Sequence, residues 1–132
     1  MQENTNKGNK KILIVEDEEP MRMVLADKLT MEGFSVLEAK DGVEGLEIAL
    51  KDRPDLILLD IIMPRMDGLT MLERLRENEC CKDTLVILLT NLGRSDKITK
   101  VLEGGNVDFM IKAEWTLKDT IKKIKEKLSE TS

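Results

Sequence analysis

Four short apolar runs in the sequence each end in polar residues that could take part in chemistry. In chain order these residues are Glu16, Asp17, Asp60, Thr90 and Lys112, which supply carboxylates, a hydroxyl and an amine. Carboxylates that lie close together repel and raise one another's pKa unless a cation joins them. Oxygen ligands of high negative charge suit a hard divalent ion such as Mg²⁺, which keeps several waters while it binds one or two carboxylates.

The same set of side chains could also act on a phosphoryl group. An amine and a hydroxyl can hold the outer oxygens of such a group, and a metal ion can neutralise its charge. A carboxylate can itself be the nucleophile, which would give an aspartyl phosphate. Asp60 is the first candidate for that role, because it directly follows four consecutive aliphatic residues and would stand where that buried strand emerges from the sheet.

The runs that precede these residues are typical of buried parallel strands. Residues 56–59 are all aliphatic, follow Pro54-Asp55 and lead straight into Asp60. We expect strands at residues 11–15, 34–38, 56–60, 84–89 and 107–111. The carboxyl ends of parallel strands meet at one edge of the sheet, where ligands collect in open α/β folds. The reactive residues are therefore predicted to converge.

Helical patterns alternate with these strands, which predicts a parallel sheet with helices on both faces. Pro20 suits the first turn of the first helix, and Gly33 suits its end. Asp41 with Glu44, Ser95, and Thr116 with Asp119 are predicted helix starts. The inner face of the first helix is predicted to carry Met21, Val24, Leu25 and Leu29.

Length and composition indicate one globular domain. The chain has 132 residues, enough to bury a core, and we expect a disordered tail at 1–9 and a domain at 10–132. The net charge of −5 argues against direct binding to nucleic acid or to an anionic membrane. Because the chain contains no His, imidazole metal sites and His-based catalysis are excluded. Adjacent Cys residues and the lack of a signal peptide predict a cytoplasmic protein.

From about Lys10 to Ser129 the chain resembles the response-regulator receiver domains of two-component signalling. The resemblance rests on four segments, which are residues 15–18 (Val-Glu-Asp-Glu), residues 60–68 (Asp-Ile-Ile-Met-Pro-Arg-Met-Asp-Gly), Thr90, and residues 109–112 (Phe-Met-Ile-Lys). It implies a flavodoxin-like (βα)5 fold with strand order 2-1-3-4-5. In that order the strands before Asp17 and Asp60 are neighbours.

The resemblance also implies a role for each site residue. Asp60 would accept a phosphoryl group from a histidine kinase or a phosphotransfer protein. Glu16 and Asp17 would hold Mg²⁺, helped by Asp60 and by the backbone carbonyl of Ile62. Lys112 would pair with the phosphate.

A switch is implied as well, in which Thr90 hydrogen-bonds the phosphate and Phe109 turns into the space that Thr90 leaves. The face formed by the fourth helix, the fifth strand and the fifth helix would then change for an unidentified protein target. Such a domain is not a conventional enzyme, although it would promote its own phosphorylation and a slow autodephosphorylation.

The sequence departs from the family pattern beside the site. Ala113 follows Lys112 where the family usually has Pro, and Asn91 follows Thr90 where a small residue is usual. Ile62 and Leu92 are aliphatic at positions that tune phosphate lifetime in the family, which predicts slow loss of phosphate.

Three other functions compete with the receiver. A pseudo-receiver that no longer accepts phosphate is favoured only by Ala113 and Asn91. An Asp-nucleophile phosphohydrolase of the dehalogenase type would need a second Asp where Ile62 stands. A nucleotide-binding Rossmann module would need a GxGxxG motif after the first strand, and none is present there.

Overall fold

The computed structural model describes residues 10–90, 96–103, 105–112 and 116–130, without the side chains of residues 96–98 and 130. Several sequence predictions therefore concern positions outside the described residues. These are the disordered tail at 1–9, the roles of Asn91 and Leu92, the helix start at Ser95 and the effect of Ala113.

A five-stranded parallel sheet in the order β2-β1-β3-β4-β5 forms the centre of the molecule, which confirms the predicted topology. The strands are β1 Lys11–Val15, β2 Ser35–Ala39, β3 Leu56–Asp60, β4 Leu85–Thr90 and β5 Val107–Ile111. Their observed bounds lie within one residue of the predicted ones. Every residue of β3 is buried, as expected for a strand covered on both faces.

Helices follow each strand and cover both faces of the sheet. They are α1 Glu19–Met31, α2 Gly42–Asp52, α3 Gly68–Arg76, α4 Asp96–Glu103 and α5 Leu117–Glu130, with a short 3-10 helix at Glu79–Cys81 between α3 and β4. Residues of α1 and α5 pack with alternate strand residues on one face. Residues of α2, α3 and α4 pack on the other. The result is the doubly wound architecture that the alternating pattern predicts.

The helix starts follow the predicted capping chemistry where they are described. Asp41 accepts a hydrogen bond from the backbone of Glu44, at 2.8 Å. Thr116 and Asp119 cap reciprocally, because the side chain of each accepts from the backbone N–H of the other.

The prediction that Val24 lies on the inner face of α1 is wrong. The side chains of Leu25 and Leu29 are buried, but Val24 is 53% exposed and Ala26 is buried in its place. A helix turns by about 100° per residue, so only a narrow stripe faces the sheet, and Val24 lies just outside it.

Candidate functional site

The predicted reactive residues converge at the carboxyl edge of the sheet. They surround a cavity of about 260 Å³ lined by Asp17, Glu18, Asp60, Ile62, Thr90 and Lys112. Strand pairing explains the convergence, since Val15 pairs with Leu59 and Thr90 pairs with Ile111 in neighbouring strands. The residues that follow or end these strands therefore reach the edge at the same level. Glu16 is not among the lining residues, but its carboxylate accepts a hydrogen bond from Lys112, which is.

Lys112 connects the acidic residues of the site. Its Nζ lies 3.0 Å from Oε1 of Glu16 and 3.4 Å from Oδ2 of Asp60. The carboxylate of Glu18, which is largely exposed, lies 3.7 Å away. The backbone N–H of Lys112 donates to the carbonyl of Thr90 at 2.7 Å, which ties the end of β5 to the end of β4. One ammonium group thus faces three carboxylates.

Carboxylate oxygens of Glu16, Asp17 and Asp60 all lie within 4.8 Å of one another, a spacing that could hold a metal ion. Asp17 is exposed, whereas Glu16 is completely buried and Asp60 is 5% exposed. Oxygen-only ligands with this charge fit a hard divalent cation better than a soft transition metal. The donor set therefore suits Mg²⁺.

Burial dominates the electrostatics of the site. It raises the pKa of Asp60, and repulsion from Asp17 raises it further, while Lys112 works in the opposite direction. Burial also raises the pKa of Glu16, with repulsion from Asp60 adding to the effect. Burial on its own would lower the pKa of Lys112, but its bonds to Glu16 and Asp60 raise it overall. Burial and mutual repulsion thus disfavour the charged forms of Glu16 and Asp60, and Lys112 offsets part of this effect.

Two hydrogen bonds that the sequence pattern did not predict hold the acidic loop after β1. The side chain of Glu16 accepts a hydrogen bond from the backbone of Glu18, at 3.1 Å. Arg22 of α1 donates from Nη1 to the backbone carbonyl of Glu16 at 2.9 Å. Glu18 could have been found from the sequence, because it directly follows Glu16 and Asp17. Arg22 could not, because its partner is a backbone atom.

The segment after β3 packs directly on the backbone of Asp60. The N–H of Gly68 donates to the carbonyl of Ile61 at 2.8 Å. A Cβ atom at Gly68 would lie 2.2 Å from the backbone oxygen of Asp60, so only glycine fits there. Asp67 caps α3 by accepting from Thr70, which is the turn and cap role that Asp-Gly chemistry predicts. The side chain of Ile62 is 64% exposed beside the cavity.

The two predicted switch residues lie on adjacent strands and on one face of the sheet. Thr90 is almost completely buried at the end of β4. Phe109 of β5 pairs with Leu88 and packs, partly buried, against the core on the side of α2, α3 and α4. Because side chains alternate along a strand, Thr90 points to the same face as Leu88 and hence as Phe109.

Comparison with known proteins identifies relatives along most of the chain. The family model for the response regulator receiver domain matches residues 12–125 of this chain. The response regulator PleD of Caulobacter vibrioides is 43% identical over 103 residues, which cover 77% of this chain and 22% of PleD. The DNA-binding dual master transcriptional regulator RpaA of Synechocystis is 35% identical over 102 residues, which cover 77% of this chain and 42% of RpaA. The chain thus spans less than half of these relatives.

Solved structures of receiver domains have the same fold as this chain. The receiver domain of the Francisella response regulator 1452 has a TM-score of 0.83 and 26% sequence identity, with 94% of this chain and 100% of that chain covered. Within the part of the chain that is described, no helix has both the length and the apolar character needed to cross a membrane. On these matches and this fold, the chain belongs to the family of response regulator receiver domains, the signalling domains of two-component systems.

Proposed function

We propose that this receiver domain is controlled by phosphorylation of Asp60, with a histidine kinase or a phosphotransfer protein as the phosphoryl donor. The observation that carries the proposal is the cluster of the Glu16, Asp17 and Asp60 carboxylates at the cavity, two of which, Glu16 and Asp60, form ion pairs with Lys112. Family membership supports the same reaction.

Asp60 is the proposed nucleophile. A carboxylate oxygen of Asp60 attacks the phosphorus atom of a phosphohistidine as the N–P bond breaks. The bonding electrons return to the imidazole nitrogen, and the product on this chain is an acyl phosphate. Phosphoryl transfer needs little covalent help from the protein, so positioning and charge neutralisation supply most of the rate.

Mg²⁺ is the proposed cofactor, held by Glu16, Asp17 and Asp60 together with the backbone carbonyl of Ile62. When bound, it would neutralise charge on the carboxylates and on the phosphoryl oxygens. The excess of negative charge around Lys112 supports this assignment, since the site is left with more carboxylates than the single ammonium can balance.

Lys112 and Thr90 are proposed to hold the new phosphate. Lys112 already lies 3.4 Å from Asp60, so its ammonium can shift to an oxygen of the phosphoryl group. Thr90 lines the same cavity, and its hydroxyl would donate to a second oxygen. Lys112 would thereby exchange a carboxylate partner for a phosphate, with little change in its own burial.

The proposed output is a change in the face formed by α4, β5 and α5. Movement of Thr90 toward the phosphate would open space on the face of the sheet that Phe109 shares. A two-state element of this kind moves from about 1:99 to 99:1 when one state gains about 5.5 kcal/mol. The target is proposed to be a protein, without direct nucleic-acid or membrane contact, and the setting to be cytoplasmic.

A titration with Mg²⁺ and then beryllofluoride, a phosphoryl mimic, tests the proposal. The fluorescence of Trp115, the only Trp in the sequence, reports the response. We expect saturable Mg²⁺ binding followed by a second change that Asp60→Asn abolishes. A wild-type protein that binds neither Mg²⁺ nor the mimic would overturn the proposal in favour of a pseudo-receiver.

A further inference from the structure

The segment between β3 and α3 contains a tight turn centred on Arg65. The N–H of Met66 donates to the carbonyl of Pro64 at 2.7 Å, which closes a three-residue turn. Arg65, its central residue, has a φ of 70°, in the region that L-residues with a side chain rarely occupy. An i to i+2 turn with positive φ is rare and strained, so other contacts must hold it.

An ion pair with the start of α2 holds this turn. Nη1 of Arg65 lies 3.1 Å from Oδ2 of Asp41, whose side chain is only 4% exposed. The other oxygen of Asp41 caps α2 by accepting from Glu44. One buried carboxylate therefore serves both the helix start and the turn, and both of its oxygens have partners.

Backbone packing joins the same two elements. A Cβ atom at Gly42 would lie 2.2 Å from the backbone oxygen of Met66, so the turn rests directly on the first residue of α2. At its other end the segment rests on the backbone oxygen of Asp60 through Gly68. The stretch that carries the backbone carbonyl of Ile62 is thus clamped between α2 and the phosphoacceptor strand.

We propose that Arg65 is a positioning residue, which acts through its ion pair with Asp41 to aim the carbonyl of Ile62 at the Mg²⁺ site. This inference rests on the proposed function, because it assigns Arg65 a role in the geometry of that metal site. Arg65 is not among the residues that line the cavity, so its role would be indirect. Its effect would be transmitted by the strained turn, whose shape the ion pair with Asp41 helps to hold together with the backbone packing.

The test measures the dissociation constant for Mg²⁺ by calorimetry, together with the melting temperature of each variant. Arg65→Ala and Asp41→Asn each remove the ion pair, and Asn is as good an N-cap as Asp, so α2 keeps its start. We expect about tenfold weaker Mg²⁺ binding in both, the lower end of what losing an outer partner costs a metal site. Arg65→Lys should recover part of the loss, and the double variant should bind no worse than either single one.

Two further variants separate positioning from stability. Arg65→Gly removes the ion pair but relieves the strain of the positive φ, so it should stay folded and still bind Mg²⁺ weakly. Lys123→Ala breaks an ion pair of similar length to Asp108, 3.0 Å, on the other side of the sheet, and should leave Mg²⁺ binding unchanged.

The outcomes distinguish this inference from the proposed function. If the wild type binds no Mg²⁺, the metal site itself is wrong, and the role of Arg65 falls with it. If the wild type binds Mg²⁺ and the Arg65 and Asp41 variants bind it equally well, only the positioning role is overturned. A lower melting temperature with an unchanged dissociation constant also overturns the positioning role, since it marks the ion pair as purely structural.

Discussion

At the scale of single residues, the site is defined by an imbalance of charge around Lys112. Its ammonium group forms ion pairs with Glu16, Asp60 and the exposed Glu18. Asp17 adds a further carboxylate to the cluster. A buried ion pair is often close to neutral for stability, but carboxylates in excess of their partner are costly. A bound cation is therefore expected to stabilise this cluster of carboxylates.

Asp60→Asn should therefore stabilise the metal-free protein at pH 7, by about 1 kcal/mol or roughly 3–5 °C in melting temperature. The pKa of Asp60 is raised on folding, so the folded state binds its proton more tightly, and stability falls as pH rises through that pKa. The gain should vanish below the ordinary value of 3.8, where both states are protonated. Thermal unfolding in EDTA between pH 3.5 and pH 8 measures it. A variant less stable than wild type at pH 7 would contradict the charge argument.

Ile62 gives a second prediction at this scale. Its exposed aliphatic side chain beside Asp60 cannot hydrogen-bond a water that attacks the acyl phosphate. Ile62→Asn should accelerate phosphate loss up to about tenfold, the equivalent of one hydrogen bond gained in the transition state. Decay of the phosphorylated protein after removal of the donor measures the rate, with Ile62→Val as the aliphatic control. Equal decay rates in all three proteins would refute the idea.

At the scale of elements, the segment from Asp60 to Gly68 links β3 to two helices. It caps α3 through Asp67, rests on α2 through Met66 and closes on β3 through Gly68. These contacts are made mainly by backbone atoms, so they are sensitive to any added side-chain volume. At its end, Asp67 therefore caps α3, and Gly68 lets α3 approach the backbone of Asp60 closely.

Gly68→Ala should lower the free energy of unfolding by about 1–3 kcal/mol, because the new methyl group would meet the backbone oxygen of Asp60 at 2.2 Å. It should also weaken beryllofluoride binding, since relief of the clash must move Asp60 or α3. Denaturant unfolding and the Trp115 titration measure the two effects.

Gly105→Ala provides the control for that variant. A Cβ atom there meets nothing within 4 Å, and the cost arises only from the positive φ of 87°. We expect a loss of about 1 kcal/mol with unchanged beryllofluoride binding. If Gly68→Ala bound beryllofluoride as tightly as Gly105→Ala, the proposed link between this glycine and Asp60 would be wrong.

At the scale of the whole molecule, parallel pairing places the ends of β1, β3, β4 and β5 around one cavity. That convergence could be predicted, because continuous aliphatic runs such as 56–59 identify buried strands and parallel strands share an edge. The pairing of Arg65 with Asp41 could not be predicted. The two residues lie 24 positions apart, and Arg65 is exposed whereas Asp41 is buried. No helix or strand periodicity in the sequence connects their positions. The exposure of Val24 could not be predicted either, because the face of α1 that is buried depends on how the helix packs against the sheet.

Mg²⁺ should stabilise the whole domain if the site is as proposed. At a Mg²⁺ concentration about 100 times the dissociation constant, linkage predicts a gain of about 2.7 kcal/mol in the free energy of unfolding. Urea unfolding with MgCl₂, compared with NaCl at equal ionic strength, isolates this effect from screening. Asp17→Asn should lose most of the gain, and an equal gain in that variant would show that Mg²⁺ binds elsewhere.

Phosphorylation of Asp60 is tested most directly by the intact mass of the protein after incubation with Mg²⁺ and acetyl phosphate, a small phosphoryl donor. We expect the wild type to gain the mass of one phosphoryl group, and Asp60→Asn and a wild-type sample with EDTA to gain none. A wild type that stays unmodified, or an Asp60→Asn variant that gains the same mass, would contradict phosphorylation at Asp60.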